Sequence, residues 1–193
     1  MLYKMKFYRE NIKEKFLDNF ISDEDINLAI SEIENPSEIN LYPKHYENRN
    51  GGTAFPYNKN IIYLFKKYGK KANEMQKQLN GFVNEIYVTK IFGSAWSHGD
   101  GAESPHIDAQ ELEPFIEWST VIYLSDNFKG GEIFFPNQEY TYKPKIGSAV
   151  FFPSAGTEYM HGIKKIENGK RYTMCIMHSS QKAFADPDIL DKK

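Results

Sequence analysis

Apolar positions recur with two different periods along this chain, and the change falls near Phe82. Before it, Ile26, Ala29, Ile30 and Ile33 repeat at helical spacing. Ser22 is placed to cap that helix, and Asp23, Glu24 and Asp25 fill its first turn, where negative charge meets the positive end of the helix dipole. Pro36 ends it, because proline lacks the N–H that the helix ladder needs. A second helix is expected from Asn58 to Leu79, carried by Ile61, Ile62, Leu64, Phe65, Tyr68, Ala72, Met75 and Leu79 and stopped at Asn80-Gly81. Between the two, prolines, Asn48 and Gly51-Gly52 interrupt both periods, so Leu41 to Pro56 is expected to be a long loop.

Beyond Phe82, short β-branched and aromatic runs alternate with turn residues. Strands are expected at Glu85 to Phe92, Pro105 to Ala109, Phe115 to Leu124, Glu132 to Phe135, Ser148 to Phe152, Tyr159 to Ile166 and Arg171 to His178. That number of short strands at that spacing predicts a sandwich or barrel. With 193 residues, a single domain is expected: residues 1–81 as a helical and loop-rich support, 82–180 as the β core and 181–193 as a polar tail.

Composition agrees and narrows the function. Hydrophobic residues make up 40% and charged residues 26%, as in globular chains, and 15% aromatic content favours strands. A net charge of -2 provides no basic field for duplex nucleic acid, which is not expected as a partner. The lysines of the second helix, Lys59, Lys66, Lys67, Lys70, Lys71 and Lys77, read as a solvated face. Cys175 is the only cysteine and the amino terminus carries no long apolar run, so a cytoplasmic location without membrane insertion is expected.

Five histidines are available: His45, His98, His106, His161 and His178. A non-haem Fe(II) site needs two of them and one carboxylate on one face of the metal, with positions left open opposite. His-x-Asp on a strand supplies a pair, because residues i and i+2 project to the same side. The spacing occurs twice. His98-Gly99-Asp100 lies among glycines that favour a mobile turn, whereas His106-Ile107-Asp108 follows a proline and encloses a stiff β-branched residue. The second pair is the expected source. For the distal ligand, a bulged hairpin with Gly169 in the left-handed position would set His161 opposite Cys175 and Arg171 opposite Lys165. His161, Arg171 and Thr173 would then share a face, with a four-position offset of about 13 Å, and His178 would point away. A two-residue Asn168-Gly169 turn would instead put His161 and Arg171 on opposite faces.

The ordered set His106-x-Asp108, His161, Arg171-x-Thr173 resembles the 2-oxoglutarate and Fe(II)-dependent dioxygenases, in particular their prolyl 4-hydroxylase-like branch. Thr120 to Ser125, Gly130-Gly131-Glu132 to Pro136 and Gly147 to Pro153 are similar to the family's central strand, hairpin and the strand before the distal histidine. The resemblance spans about Phe82 to His178. It implies a double-stranded β-helix, a jelly-roll barrel with flanking helices, that holds Fe(II) through His106, Asp108 and His161. It further implies 2-oxoglutarate bound by Arg171, Thr173 and Tyr123, O2 as the second co-substrate and ascorbate as reductant. No catalytic residue beyond the metal centre is implied. Two features depart from the branch: it often uses lysine where Arg171 stands, and Gly93 to Ser104 does not align crisply.

The implied reaction is hydroxylation of an unactivated C–H bond with release of succinate and CO2. Asp108 favours hydroxylation over halogenation, since halogenating relatives carry a small residue there. A peptidyl proline is the first expectation for the substrate, with a small metabolite or a modified nucleobase as alternatives, and Trp96, Trp118 and Tyr159 are candidates to line its cleft. A reading of a different class is a cupin-like barrel that binds metal or ligand without turnover. Oligomeric state is not legible.

Overall fold

The structure, a computed structural model, describes residues 15–37, 53–56, 58–80, 85–111, 113–187 and 189. Helix α1 runs Asp23–Glu34 and α2 runs Lys59–Asn80. The Ser22 hydroxyl accepts the Asp25 N–H at the start of α1. Asn58 does the same for α2, its Oδ1 accepting from the N–H groups of Asn60 and Ile61. Gly81 and most of the expected loop from Leu41 to Pro56 lie outside the described residues.

Two sheets enclose the interior. The larger has six strands in the order β1-β9-β5-β12-β3-β2, with β1 Lys15–Leu17, β2 Thr53–Ala54, β3 Tyr87–Trp96, β5 Trp118–Tyr123, β9 Ala149–Pro153 and β12 Arg171–Ser179. The smaller has four in the order β4-β10-β7-β8, with β4 Ala102–His106, β7 Ile133–Phe135, β8 Tyr140–Tyr142 and β10 His161–Ile163. A short pair of β6 Lys129–Gly130 with β11 Ile166–Asn168 completes the strands. The double-stranded β-helix implied by the sequence is the fold observed.

Alternation along the strands makes two cores from the larger sheet. On its outer face Ile122, Phe151, Tyr172, Met174 and Ile176 meet Ile61, Leu64, Phe65 and Tyr68 of α2. On its inner face Trp96, Val121, Tyr123, Val150 and Phe152 meet Ile133, Phe135, Tyr142 and Ile163 of the smaller sheet. The helices therefore brace the back of the sheet. Asp25 ties them together through Lys67 at 2.6 Å and the Tyr68 hydroxyl at 2.5 Å. Burial opposes ionisation of Asp25, but hydrogen bonds from Lys67, Tyr68 and Ser22 outweigh it and hold the carboxyl below its ordinary range.

Three sequence expectations need correction. First, β10 and β12 are not a hairpin: β10 pairs with β4 and β7, whereas β12 pairs with β3 and β5. The expected strand from Tyr159 to Ile166 is a 3-10 turn at Thr157–Tyr159, then β10, then β11 on β6. The chain changes sheet at Lys164-Lys165, where two consecutive exposed residues break the alternation. Second, β4 ends at His106, so Asp108 stands in the bend that follows. Third, the amino-terminal part contributes strands as well as helices, since β1 pairs with β9 and β2 with β3.

Candidate metal centre and co-substrate anchor

His106 and His161 are register partners on adjacent strands, so their imidazoles leave the smaller sheet side by side, with ring centroids 4.7 Å apart. Asp108 Oδ1 lies 3.7 Å from His106 Nε2 and 3.9 Å from His161 Nε2. One ligand atom from each of the three falls within 4.8 Å of the others. Phe135 and Phe152 pack around the His161 ring. The His106 side chain is 37% exposed and that of His161 only 7%, so the cluster opens to solvent on the His106 side.

The protonation pattern suits a cation. Desolvation lowers the pKa of His161, the Asp108 charge raises it and the nearby His106 lowers it again, with a net fall that keeps the ring neutral. Its Nδ1 faces the Tyr159 carbonyl at 3.1 Å and must donate there, which leaves the Nε2 lone pair directed at Asp108. Two imidazoles and one carboxylate at this separation match the donor set and spacing for Fe(II).

The other two histidines with described geometry are occupied elsewhere. His98 sits in the turn after β3, where Asp100 accepts from the Ser97 N–H and Gly99 has φ 93°. Its Nδ1 is 2.8 Å from the Glu167 carbonyl. His178 is fully buried on the outer face of β12, with Nε2 2.9 Å from Thr120 Oγ1 and Nδ1 2.6 Å from Asn73 Oδ1.

Across the barrel, Arg171 opens β12 and Tyr123 closes β5, both facing inward. The Arg171 guanidinium lies 5.3 Å from the centroid of Trp96 and 5.3 Å from that of Tyr123. Arg171 Nε and the Tyr123 hydroxyl are buried without a hydrogen-bond partner among the described residues. Burial pushes the Tyr123 phenol well above its ordinary pKa against the Arg171 charge, so it stays protonated and able to donate. Leaving a buried Nε–H and a buried hydroxyl without acceptors costs on the order of 1–3 kcal/mol for each unmade bond unless an anion completes them. The carboxylate of a dicarboxylic acid fits that need.

Thr173 follows on the same face, its hydroxyl 3.2 Å from Ser94 Oγ. Cys175 comes next, and burial pushes its thiol up to about 12. Trp96 belongs to the Arg171 clamp, and Tyr159 is buried and acts on His161 through its carbonyl. Trp118 shares strand parity with Thr120 and Ile122, which places it on the outer face and away from the metal cluster. Sequence reasoning missed Ser119 and Ser154: Ser119 Oγ lies 2.5 Å from Asp108 Oδ2 and 2.6 Å from Ser154 Oγ. The signal was small inward positions at 119 and beside the strand end at 153, and serine at such a position is too common to select.

A barrel with a two-histidine, one-carboxylate cluster inside and a buried guanidinium opposite has the donor set of a non-haem iron site. Residues 93–177 match the family model described as the 2OG-Fe(II) oxygenase superfamily. Over 139 residues the chain is 34% identical to human prolyl 3-hydroxylase 2, covering 60% of this chain and 20% of that protein. It is 29% identical over 132 residues to 2-oxoglutarate and iron-dependent oxygenase domain-containing protein 3 of Xenopus tropicalis, covering 61% and 41%. The chain thus spans well under half the length of these relatives. Among solved structures, the 2OG complex of the viral collagen prolyl hydroxylase of Paramecium Bursaria Chlorella virus-1 superposes with a TM-score of 0.68 at 19% identity, covering 91% of this chain and 100% of that one. A prolyl hydroxylase from Trichoplax adhaerens, in complex with a hypoxia inducible factor oxygen degradation domain peptide fragment, gives 0.63 at 17% identity, covering 89% and 86%.

Proposed function

We propose that this chain is an Fe(II)- and 2-oxoglutarate-dependent dioxygenase that hydroxylates a peptidyl proline, with ascorbate as reductant. The observation that carries the reading is the pairing of two features across one barrel: the His106, Asp108, His161 cluster on one side, and on the other the Arg171 Nε–H and the Tyr123 hydroxyl, both buried without an acceptor among the described residues. When bound, Fe(II) with 2-oxoglutarate and O2 supplies the oxidising chemistry that inserts oxygen into a C–H bond while succinate and CO2 are released.

The chain's own residues do the positioning. His106, Asp108 and His161 would hold the metal. Arg171 and Tyr123, side by side, would bind the far carboxylate of the co-substrate, for which a guanidinium offers a bidentate fork that a lysine would not. The aromatic wall of Phe135 and Phe152 keeps water from the His161 side. Substrate enters from the exposed His106 side.

Proline as substrate is supported by the prolyl hydroxylases that recur among relatives of both kinds. Those found by sequence are named prolyl 3-hydroxylases, whereas a structural neighbour from Pseudomonas putida is named a prolyl-4-hydroxylase, so ring position 3 or 4 is the open choice. The test is succinate formation from purified protein with Fe(II), ascorbate, 2-oxoglutarate and proline-rich peptides, followed by amino-acid analysis of the product. We expect a gain of one oxygen on proline, with His106→Ala abolishing turnover. No succinate and no 2-oxoglutarate binding would instead establish a barrel that does not turn over.

A further inference from the structure

Asp108 lies beyond the end of its strand, so the sheet does not by itself fix where its carboxylate points. Oδ1 faces both histidines, and Oδ2 faces Ser119 Oγ at 2.5 Å. We propose that Ser119, backed by Ser154, is the positioning residue of the metal centre, holding Asp108 so that a single carboxylate oxygen is offered to the ion. The inference rests on the reading of His106, Asp108 and His161 as Fe(II) ligands.

The hydrogen-bond arithmetic fixes the direction of the relay. Ser119 has one hydroxyl proton and three neighbours: Asp108 Oδ2, Ser154 Oγ at 2.6 Å and Met177 Sδ at 3.3 Å. An ionised carboxylate can only accept, and a thioether is a weak acceptor, so the Ser119 proton goes to Asp108. Ser154 must then donate to Ser119. Both serines are essentially inaccessible to water, at 0% and 1% exposure, so solvent does not compete for either bond.

Ser154 is itself held by the backbone on both sides. Its N–H donates to the Glu117 carbonyl and its own carbonyl accepts from Ala109, the residue after Asp108. One serine therefore anchors the bend through the main chain and steadies its carboxylate through Ser119. With Oδ2 engaged, the ion meets Asp108 through Oδ1 alone, which preserves the open positions that co-substrate and oxygen need. Without the Ser119 hydroxyl, the carboxylate is free to rotate.

The experiment titrates metal-free protein with Co(II) and follows the d–d absorption of the bound ion. Wild type should bind, and His106→Ala should not. If wild type fails to bind, or His106→Ala binds equally well, the ligand assignment falls and this inference falls with it. Given a sound ligand assignment, Ser119→Ala should weaken Co(II) binding about 10- to 100-fold and alter the d–d band, while the melting of metal-free protein stays close to wild type. In an Asp108→Ala background the same change should have no further effect on affinity. Unchanged affinity and spectrum in Ser119→Ala, or an equal loss with and without Asp108, would overturn the proposal. If Ser119→Ala does not fold, Ser154→Ala reads the same relay one bond further away, with a several-fold weaker affinity expected and an unaltered one counting against it.

Discussion

Two buried histidines on strands of different sheets meet opposite requirements because of what their nitrogens touch. His161 spends Nδ1 on the Tyr159 carbonyl and keeps Nε2 for a ligand role. His178 has neither nitrogen free: Gln76 donates to Thr120, Thr120 can donate to His178 Nε2, and His178 Nδ1 donates to Asn73, whose amide donates to the Ile86 carbonyl. Every proton in that chain has a destination only if His178 is neutral. Desolvation accordingly lowers its pKa from 6.5 to about 3. The unfolded chain binds this proton below about 6.5 and the folded one does not, so the contribution is complete above that pH and is lost as pH falls toward 3. We expect the metal-free protein to lose up to several kcal/mol across that window, at about 1.4 kcal/mol per unit, and His178→Gln to flatten the profile. Denaturant unfolding at successive pH values measures it. The sequence reading placed His178 away from the site through a hairpin register that does not form, and the placement holds because Arg171 and His178 have opposite parity on one strand. The serines behind Asp108 were not readable from sequence, because their role depends on strands far apart in the chain.

At the scale of elements, the histidine–aspartate spacing and the helix boundaries were legible, since caps, periods and prolines are local signals. The partner of β10 was not. A turn with Gly169 in the left-handed region is present, at φ 80°, yet it joins β11 to β12 and the two are in different sheets. Pairing is settled by long-range closure, visible at Gly130, where φ is 74° and an added Cβ would lie 2.0 Å from the Lys165 carbonyl oxygen. Backbone cannot yield as a side chain can. Gly130→Ala should cost roughly 1–3 kcal/mol from the conformation alone, with more from the clash, and thermal melting should show it. The Arg171 clamp is an element-level device of the same kind, since Arg171 and Trp96 are register partners on β12 and β3. Trp96→Leu should raise the KM for 2-oxoglutarate severalfold and leave Co(II) affinity unchanged, because His106, Asp108 and His161 lie outside β3 and β12.

At the scale of the whole molecule, the helices act as a rigid backing for the sheet that carries the anchor. Leu64 is fully buried between α2 and that sheet. Leu64→Ala should lower stability by about 2–5 kcal/mol in denaturant melts while leaving the residue composition of the site untouched. The two sheets also divide the labour: His106 and His161 stand on the smaller, whereas Arg171 and Tyr123 stand on the larger. On the proposed reading the cluster and the anchor are two jaws of a caliper, and the Phe135 and Phe152 rings meet between the sheets at 5.6 Å. A caliper measures carbon count. A keto diacid one methylene shorter or longer than 2-oxoglutarate would reach one jaw only, so oxaloacetate and 2-oxoadipate should compete at least tenfold more weakly, and Phe152→Leu should relax that preference before it touches the chemistry.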